Sequence, residues 1–292
     1  MASSDTMIGA AAMVAMATVY KFWTLFQTPS VDAAEKTCRK SIPVMGDSDK
    51  ITIYGFEEGE THHEFPLGIP DDSPYVARVE AFLRLVKHPY VKAPSKGAME
   101  NPRGKVPFAN IHGQMVDDSS TIIDTLTATL NITLDDNLTD DQRATKHLIQ
   151  QLLQGSLYWV MLHQKFDTEF GRQTFREDMA HQLPPIIRQL VSAMAIRANH
   201  TNLQGVGVGR MPHSAIIKKG REDLRCLSHL LGQKSYFFGG KAPTMIDADV
   251  YSWLVMLFKD RAQVNDHWID EIKEECPNLV QHTDRMKGLL YP

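Results

Sequence analysis

Cysteine is scarce in this sequence: Cys38, Cys226 and Cys276 are the only three in 292 residues. They are far apart and odd in number, and no Cys-x-x-Cys pair exists, so neither a dithiol redox centre nor a zinc knuckle is supported. Such sparse thiols fit a reducing compartment better than a disulfide-stapled secreted fold. Charge of one sign is also missing. The 31 Lys and Arg nearly balance the 35 Asp and Glu, and the basic residues are scattered. That leaves no electrostatic basis for binding nucleic acid. A further cluster, His62-His63-Glu64, sits in a polar loop without further ligands, so no metal site is expected. What is present is the composition of a globular protein, 43% hydrophobic and 23% charged, with length for one large domain or two ordinary ones.

One stretch is unlike a globular domain, "MIGAAAMVAMATVYKFWTLF" at 7–26. It carries no charge from Thr6 to Tyr20, then Lys21 interrupts it. The run reaches the ~20 residues needed to cross hydrocarbon if Lys21 snorkels to the interface. Tyr20 and Trp23 would then sit in an aromatic belt. Ala15-Met16-Ala17 resembles a signal-peptide cleavage site, but Asp5 and the lack of Lys or Arg before the apolar run argue against one. Residues 1–30 are therefore expected to hold a membrane anchor in a hydrophobic helix, followed by a linker over 31–50. Lys21, Lys36, Arg39 and Lys40 follow the segment, which keeps the folded part on the cytoplasmic face. Without insertion, the protein would be soluble and cytoplasmic.

Beyond the linker the pattern changes. "ITIYGF" (51–56) is β-branched and strand-like. A long polar loop, 57–72, leads to "SPYVARVEAFLRLV" (73–86). Ser73 suits an N-cap and Pro74 the first helical position, and Val76, Val79, Leu83 and Val86 share one face. "KVPFANI" and "MVD" read as two short strands around a tight turn at "HGQ", and "SSTIIDTLTATL" as a helix. Three long helical patterns follow, beginning at "DDQRATKH", "FREDMAHQ" and "HSAIIKKG". Then comes "APTMIDADVYSWLVMLFKD", where Thr244 caps and Asp247 can reach back to the cap. That helix is apolar nearly all round, so it should be buried.

Two motifs carry a resemblance. Asn101-Pro-x-Gly-Lys-Val-Pro107, a strand, and Asp118-Ser-x-x-Ile-Ile-x-x-Leu126 resemble the amino-terminal half of a glutathione S-transferase. Phe238-Gly-x-x-x-Pro-Thr-x-x-Asp-Ala248 resembles the capping box of its carboxy-terminal domain. The implied fold is an α/β thioredoxin-like domain over 51–130 and an all-α domain over 140–292. The resemblance further implies a cis Pro107, with backbone groups of Val106 meeting the cysteinyl part of glutathione. Asp118 and Ser119 would hold its γ-glutamyl end. More narrowly, "LQGVGVGR" (203–210) before a capped helix, and "DLRCLSHLLGQKSYFFG" (223–239), resemble the failed axon connections and metaxin-like family.

Where a glutaredoxin would carry Cys-Pro-Tyr-Cys, this chain has Ser73-Pro-Tyr-Val76, so disulfide chemistry is excluded there. A hydroxyl at a helix N-terminus can still polarise a bound thiol. Ser73 is the candidate catalytic residue, Tyr54 the alternative, and Tyr75 is expected to pack. Two readings stay open. One is glutathione binding with conjugation to small electrophiles, glutathione serving as co-substrate and no metal required. The other is a non-catalytic, membrane-anchored interaction protein on the same fold. Either could form a homodimer or hold a protein partner. They part on whether the 57–72 loop covers Ser73.

Overall fold

The structure is a computed structural model that describes residues 51–56, 71, 73–95, 105–178, 185–259 and 267–292. The anchor and linker expected over 1–50, the histidine cluster, and all of the 57–72 loop except Asp71 lie outside these residues. Among the described residues no helix is long and apolar enough to cross a membrane.

The first part is a four-stranded mixed sheet. Strand β1 (Thr52–Gly55) leads to helix α1 (Pro74–Leu85), then to β2 (Val91–Pro94), β3 (Phe108–Ile111), β4 (Gln114–Asp117) and helix α2 (Ser119–Leu130). The strand order is β2-β1-β3-β4. β1 runs parallel to β2 and antiparallel to β3, and β3 runs antiparallel to β4. Both expected helix starts occur: Ser73 caps α1 with Pro74 inside it, and Asp118 caps α2. The hairpin between β3 and β4 closes where the Asn110 side chain accepts the Gly113 amide at 2.8 Å.

The rest is helical. α3 (Asp140–Leu152) starts with a complete capping box, Thr139 with Gln142. It runs through a π-turn (Leu153–Leu157) into α4 (Tyr158–Phe166). The pattern that begins at "FREDMAHQ" falls on α5 (Glu169–Asp178) and α6 (Pro185–Gly205), with residues 179–184 outside the described ones. Pro185 opens α6, at the first helical position, where a missing N–H is tolerated. A 3-10 turn (Val208–Arg210) joins α6 to α7 (His213–Leu231). The cap expected before α7 is absent, because Pro212 stands there without a side-chain acceptor. α8 (Met245–Lys259), α9 (Trp268–Glu275) and α10 (Pro277–Leu290) complete the chain.

α8 is the centre of the molecule and is buried on every side, as its sequence requires. It packs against α1 on one flank and α10 on the other. Asp247 ties its start down: one carboxylate oxygen takes the Thr244 amide (2.8 Å) and hydroxyl (3.0 Å), and the other takes the Phe237 amide at 2.9 Å. His282 Nε2 of α10 meets that second oxygen at 3.0 Å. Four contacts therefore hold one buried carboxylate, which is what burying its charge demands.

Candidate functional site

The sheet register gathers the residues singled out from the sequence at one end. Tyr54 of β1 pairs with Phe108 of β3, which pairs with Asp117 of β4. The exit of β1, the Val106-Pro107 approach to β3 and the Asp118-Ser119 exit of β4 therefore share one edge. Val106-Pro107 is cis. Val106 is half-buried and Pro107 buried.

Asp71 joins β1 to α1. One of its oxygens accepts the Ser73 amide at 2.9 Å, and the other accepts the Phe56 amide at 3.1 Å and pairs with Lys92 at 3.0 Å. Gly55 permits this approach, since a Cβ there would stand 2.4 Å from the carboxylate. Ser73, so anchored, accepts the Val76 amide at 3.4 Å. Its side chain is 6% exposed. Tyr54 stacks flat on Phe108, with centroids 4.4 Å apart and planes within 5°. Tyr75 packs edge-on between Tyr158 (5.3 Å) and Trp253 (5.2 Å). Burial first, and then Tyr158, pushes its phenol well above the ordinary tyrosine range. It therefore stays protonated.

The start of α2 is built differently. Asp118 is exposed and has φ 67°, ψ 127°, a conformation a non-glycine residue holds only where its surroundings impose it. Its carboxylate accepts the amides of Ser120 (3.0 Å) and Thr121 (3.1 Å) and the Thr121 hydroxyl (3.3 Å), all on Oδ1. Beneath lies Arg78 of α1. Its guanidinium donates to the Ser119 hydroxyl at 3.2 Å and to the Ser120 hydroxyl at 3.0 Å. On its other side it grips Asp249 of α8 at 2.8 and 3.3 Å. Gln150 of α3 holds the same carboxylate at 2.7 Å. Both serine oxygens thus accept from a cation and keep their own protons to donate; Ser120 is exposed at the helix N-terminus, whereas Ser119 is buried, at 2% exposure.

Sequence reasoning missed Arg78, Asp249 and Gln150. A signal existed: Asp249 stands in a helix apolar on all faces, and a charge there must be paired. The partner lies 171 residues away in sequence, and no local pattern names it.

Residues 74–170 match the family model of the glutathione S-transferase N-terminal domain, and residues 220–286 that of the C-terminal domain. The chain belongs to the glutathione S-transferase-like superfamily. Among curated relatives, this transferase-like chain is 28% identical over 253 residues to Failed axon connections of Drosophila melanogaster, covering 84% of this chain and 59% of that protein. It thus spans well under two thirds of that relative. It is 28% identical to the isoprene-epoxide–glutathione S-transferase of Rhodococcus sp. (strain AD45), covering 81% of this chain and 98% of that one. Human Metaxin-2 is 25% identical, covering 73% of this chain and 83% of that one. Solved structures share the fold. The glutathione transferase GSTFuA3 of Phanerochaete chrysosporium superposes with TM-score 0.55 at 14% identity, covering 83% of this chain and 98% of that one. The β-etherase LigF of Sphingobium sp. strain SYK-6 gives 0.52 at 16%, covering 81% and 94%.

Proposed function

We propose that this chain binds glutathione at the start of α2 and presents its thiol to Ser73 for addition to small electrophiles. The observation that carries the reading is the Arg78 guanidinium held against the Ser119 and Ser120 hydroxyls. The γ-glutamyl carboxylate would accept from those hydroxyls at a helix N-terminus, where negative charge is favoured. Its α-ammonium would meet Asp118 Oδ2, since every bond to that carboxylate falls on Oδ1. The backbone of Val106 would pair with the cysteinyl unit, beside Pro107.

A free thiol ionises near ~8.5, so its thiolate needs a donor near neutral pH. The Ser73 oxygen accepts from Val76 and keeps its own proton to donate to sulfur. The thiol gives its proton to water, the thiolate attacks the electrophilic carbon, a C–S bond forms, and the bond to the leaving group breaks with its electron pair; an epoxide oxygen released in this way takes a proton back from water. Tyr54, already stacked on Phe108, is the weaker alternative donor. The relative from Rhodococcus, named for joining glutathione to an epoxide, supports this class of chemistry.

A second reading is favoured by the burial of Ser73. On it, Ser73 only caps α1, and the protein is an interaction module, a homodimer or the holder of a protein partner. In both readings residues 7–26 anchor the chain to a membrane with the folded part facing the cytoplasm. Carbonate extraction and protease protection of the full-length protein test the anchor. Ser73→Ala separates the two readings. Conjugation with an epoxide substrate should fall at least tenfold while glutathione binding is retained. Equal conjugation, or none in the parent protein, favours the interaction module.

A further inference from the structure

Two phenols beside the thiol site have no part in the reaction described so far. Tyr75 lies two residues beyond the Ser73 cap, in the first turn of α1, and Tyr158 opens α4. Their rings meet edge to face, with centroids 5.3 Å apart and planes at 73°. Trp253 of α8 stands 5.2 Å from Tyr75, and Trp159 flanks Tyr158 at 5.3 Å. Both tyrosines are half-buried. Among the described residues neither hydroxyl has a hydrogen-bond partner, and the buried Nε1 of Trp253 has none either. The charges of Arg78 and Asp118 act on the Tyr75 phenol, which sets it near the start of α2.

The π-turn Leu153–Leu157 brings Tyr158 to this place. Gln150 of α3 faces α8, where it holds Asp249. In an unbroken α-helix a residue eight positions later would sit about 80° further round. The extra residue of a π-turn cancels most of that rotation, so Tyr158 falls on nearly the same face as Gln150. Ser156 fastens the turn by donating to Asp223 of α7. Such turns inside helices are frequent at functional sites.

We infer that Tyr75 and Tyr158 form a donor pair for the oxygen of an epoxide, which makes oxygen-releasing electrophiles the substrate class of the thiol site. The inference rests on the glutathione reading. As the thiolate forms its C–S bond, the C–O bond breaks and its electron pair stays on oxygen. Hydrogen bonds from the two phenols stabilise the charge developing there. Tyr75 passes its proton to the oxygen, since an alkoxide is a stronger base than a phenolate, and then regains a proton from water. The proton that water supplies thus arrives through Tyr75. Burial raises both phenols above the ordinary tyrosine range, so both are protonated donors before each attack. A chloride leaving group needs no proton and gains little from the pair.

The test compares the full-length parent with Tyr75→Phe and Tyr158→Phe on two electrophiles, styrene oxide and nitrobenzyl chloride. Each sample is assayed on both, so a loss of folded protein cancels in the ratio of the two rates. The ratio of epoxide to chloride conjugation should fall roughly 100-fold in Tyr75→Phe, as for loss of one positioned acid. In Tyr158→Phe it should fall at least ~10-fold. An unchanged ratio in Tyr75→Phe overturns the donor pair and leaves the glutathione reading standing. So does a parent that conjugates the chloride alone. A parent that conjugates neither electrophile overturns the glutathione reading and the donor pair with it.

Discussion

Arg78 Nε lies 2.8 Å from Asp249 Oδ1, and both side chains are nearly inaccessible, at 2% and 1% exposure. This contact locks α1, which Ser73 caps, to α8, and the same guanidinium supports the hydroxyls at the start of α2. One ion pair thereby couples the core of the helical part to the proposed glutathione site.

Removing one partner of such a pair strands a buried charge. Arg78→Met or Asp249→Leu should each destabilise by about 3–5 kcal/mol, and the double substitution should recover most of it. Urea unfolding of the four proteins measures this. Simple additivity of the two losses would contradict the pairing.

The core also contains a buried polar chain with a pH signature. Glu80 accepts from Tyr90 at 3.0 Å and pairs with Lys92 at 3.4 Å; Tyr90 accepts from Arg84 at 3.0 Å, and Arg84 donates to the Leu290 carbonyl at 3.1 Å. Burial above all, with Asp71 adding, raises the Glu80 carboxyl to about 7 from 4.5, although Lys92, Tyr90 and Arg84 oppose the shift. The folded state therefore holds this proton more tightly than the unfolded chain. Its stabilising contribution is complete below pH 4.5 and is lost as pH rises through about 7. Each pKa unit is worth about 1.4 kcal/mol. Glu80→Gln should flatten the stability profile between those values. An unchanged slope would refute the assignment.

Asp247 should matter to folding and not to the thiol site. Asp247→Ala removes its bonds to Phe237 and Thr244 and its contact with His282, a loss on the order of 3 kcal/mol. The melting temperature should drop while glutathione affinity at low temperature stays the same. Lost affinity in a folded variant would mean that α8 shapes the site directly.

Much of this was legible in the sequence wherever the signal is local. Ser73-Pro74 and Asp118-Ser119 announce helix starts, β-branched runs announce β1 and β3, and Thr244 to Asp247 announces the buried helix. The motifs around Pro107 pointed to a cis bond that the structure contains. What stayed hidden depends on distance in sequence. Arg78 finds Asp249, and Gln150 finds the same carboxylate from 99 residues away. The hydrogen bond between His163 of α4 and His213 of α7 likewise joins residues 50 apart.

Ser119 is the hinge of the functional account, and calorimetric titration of glutathione into the full-length protein and Ser119→Ala tests it most directly. Binding at millimolar or lower glutathione, weakened at least tenfold by Ser119→Ala in a protein that melts like the parent, is the predicted result. No heat of binding in the well-folded parent, or equal affinity in the variant, would contradict a glutathione site at the start of α2.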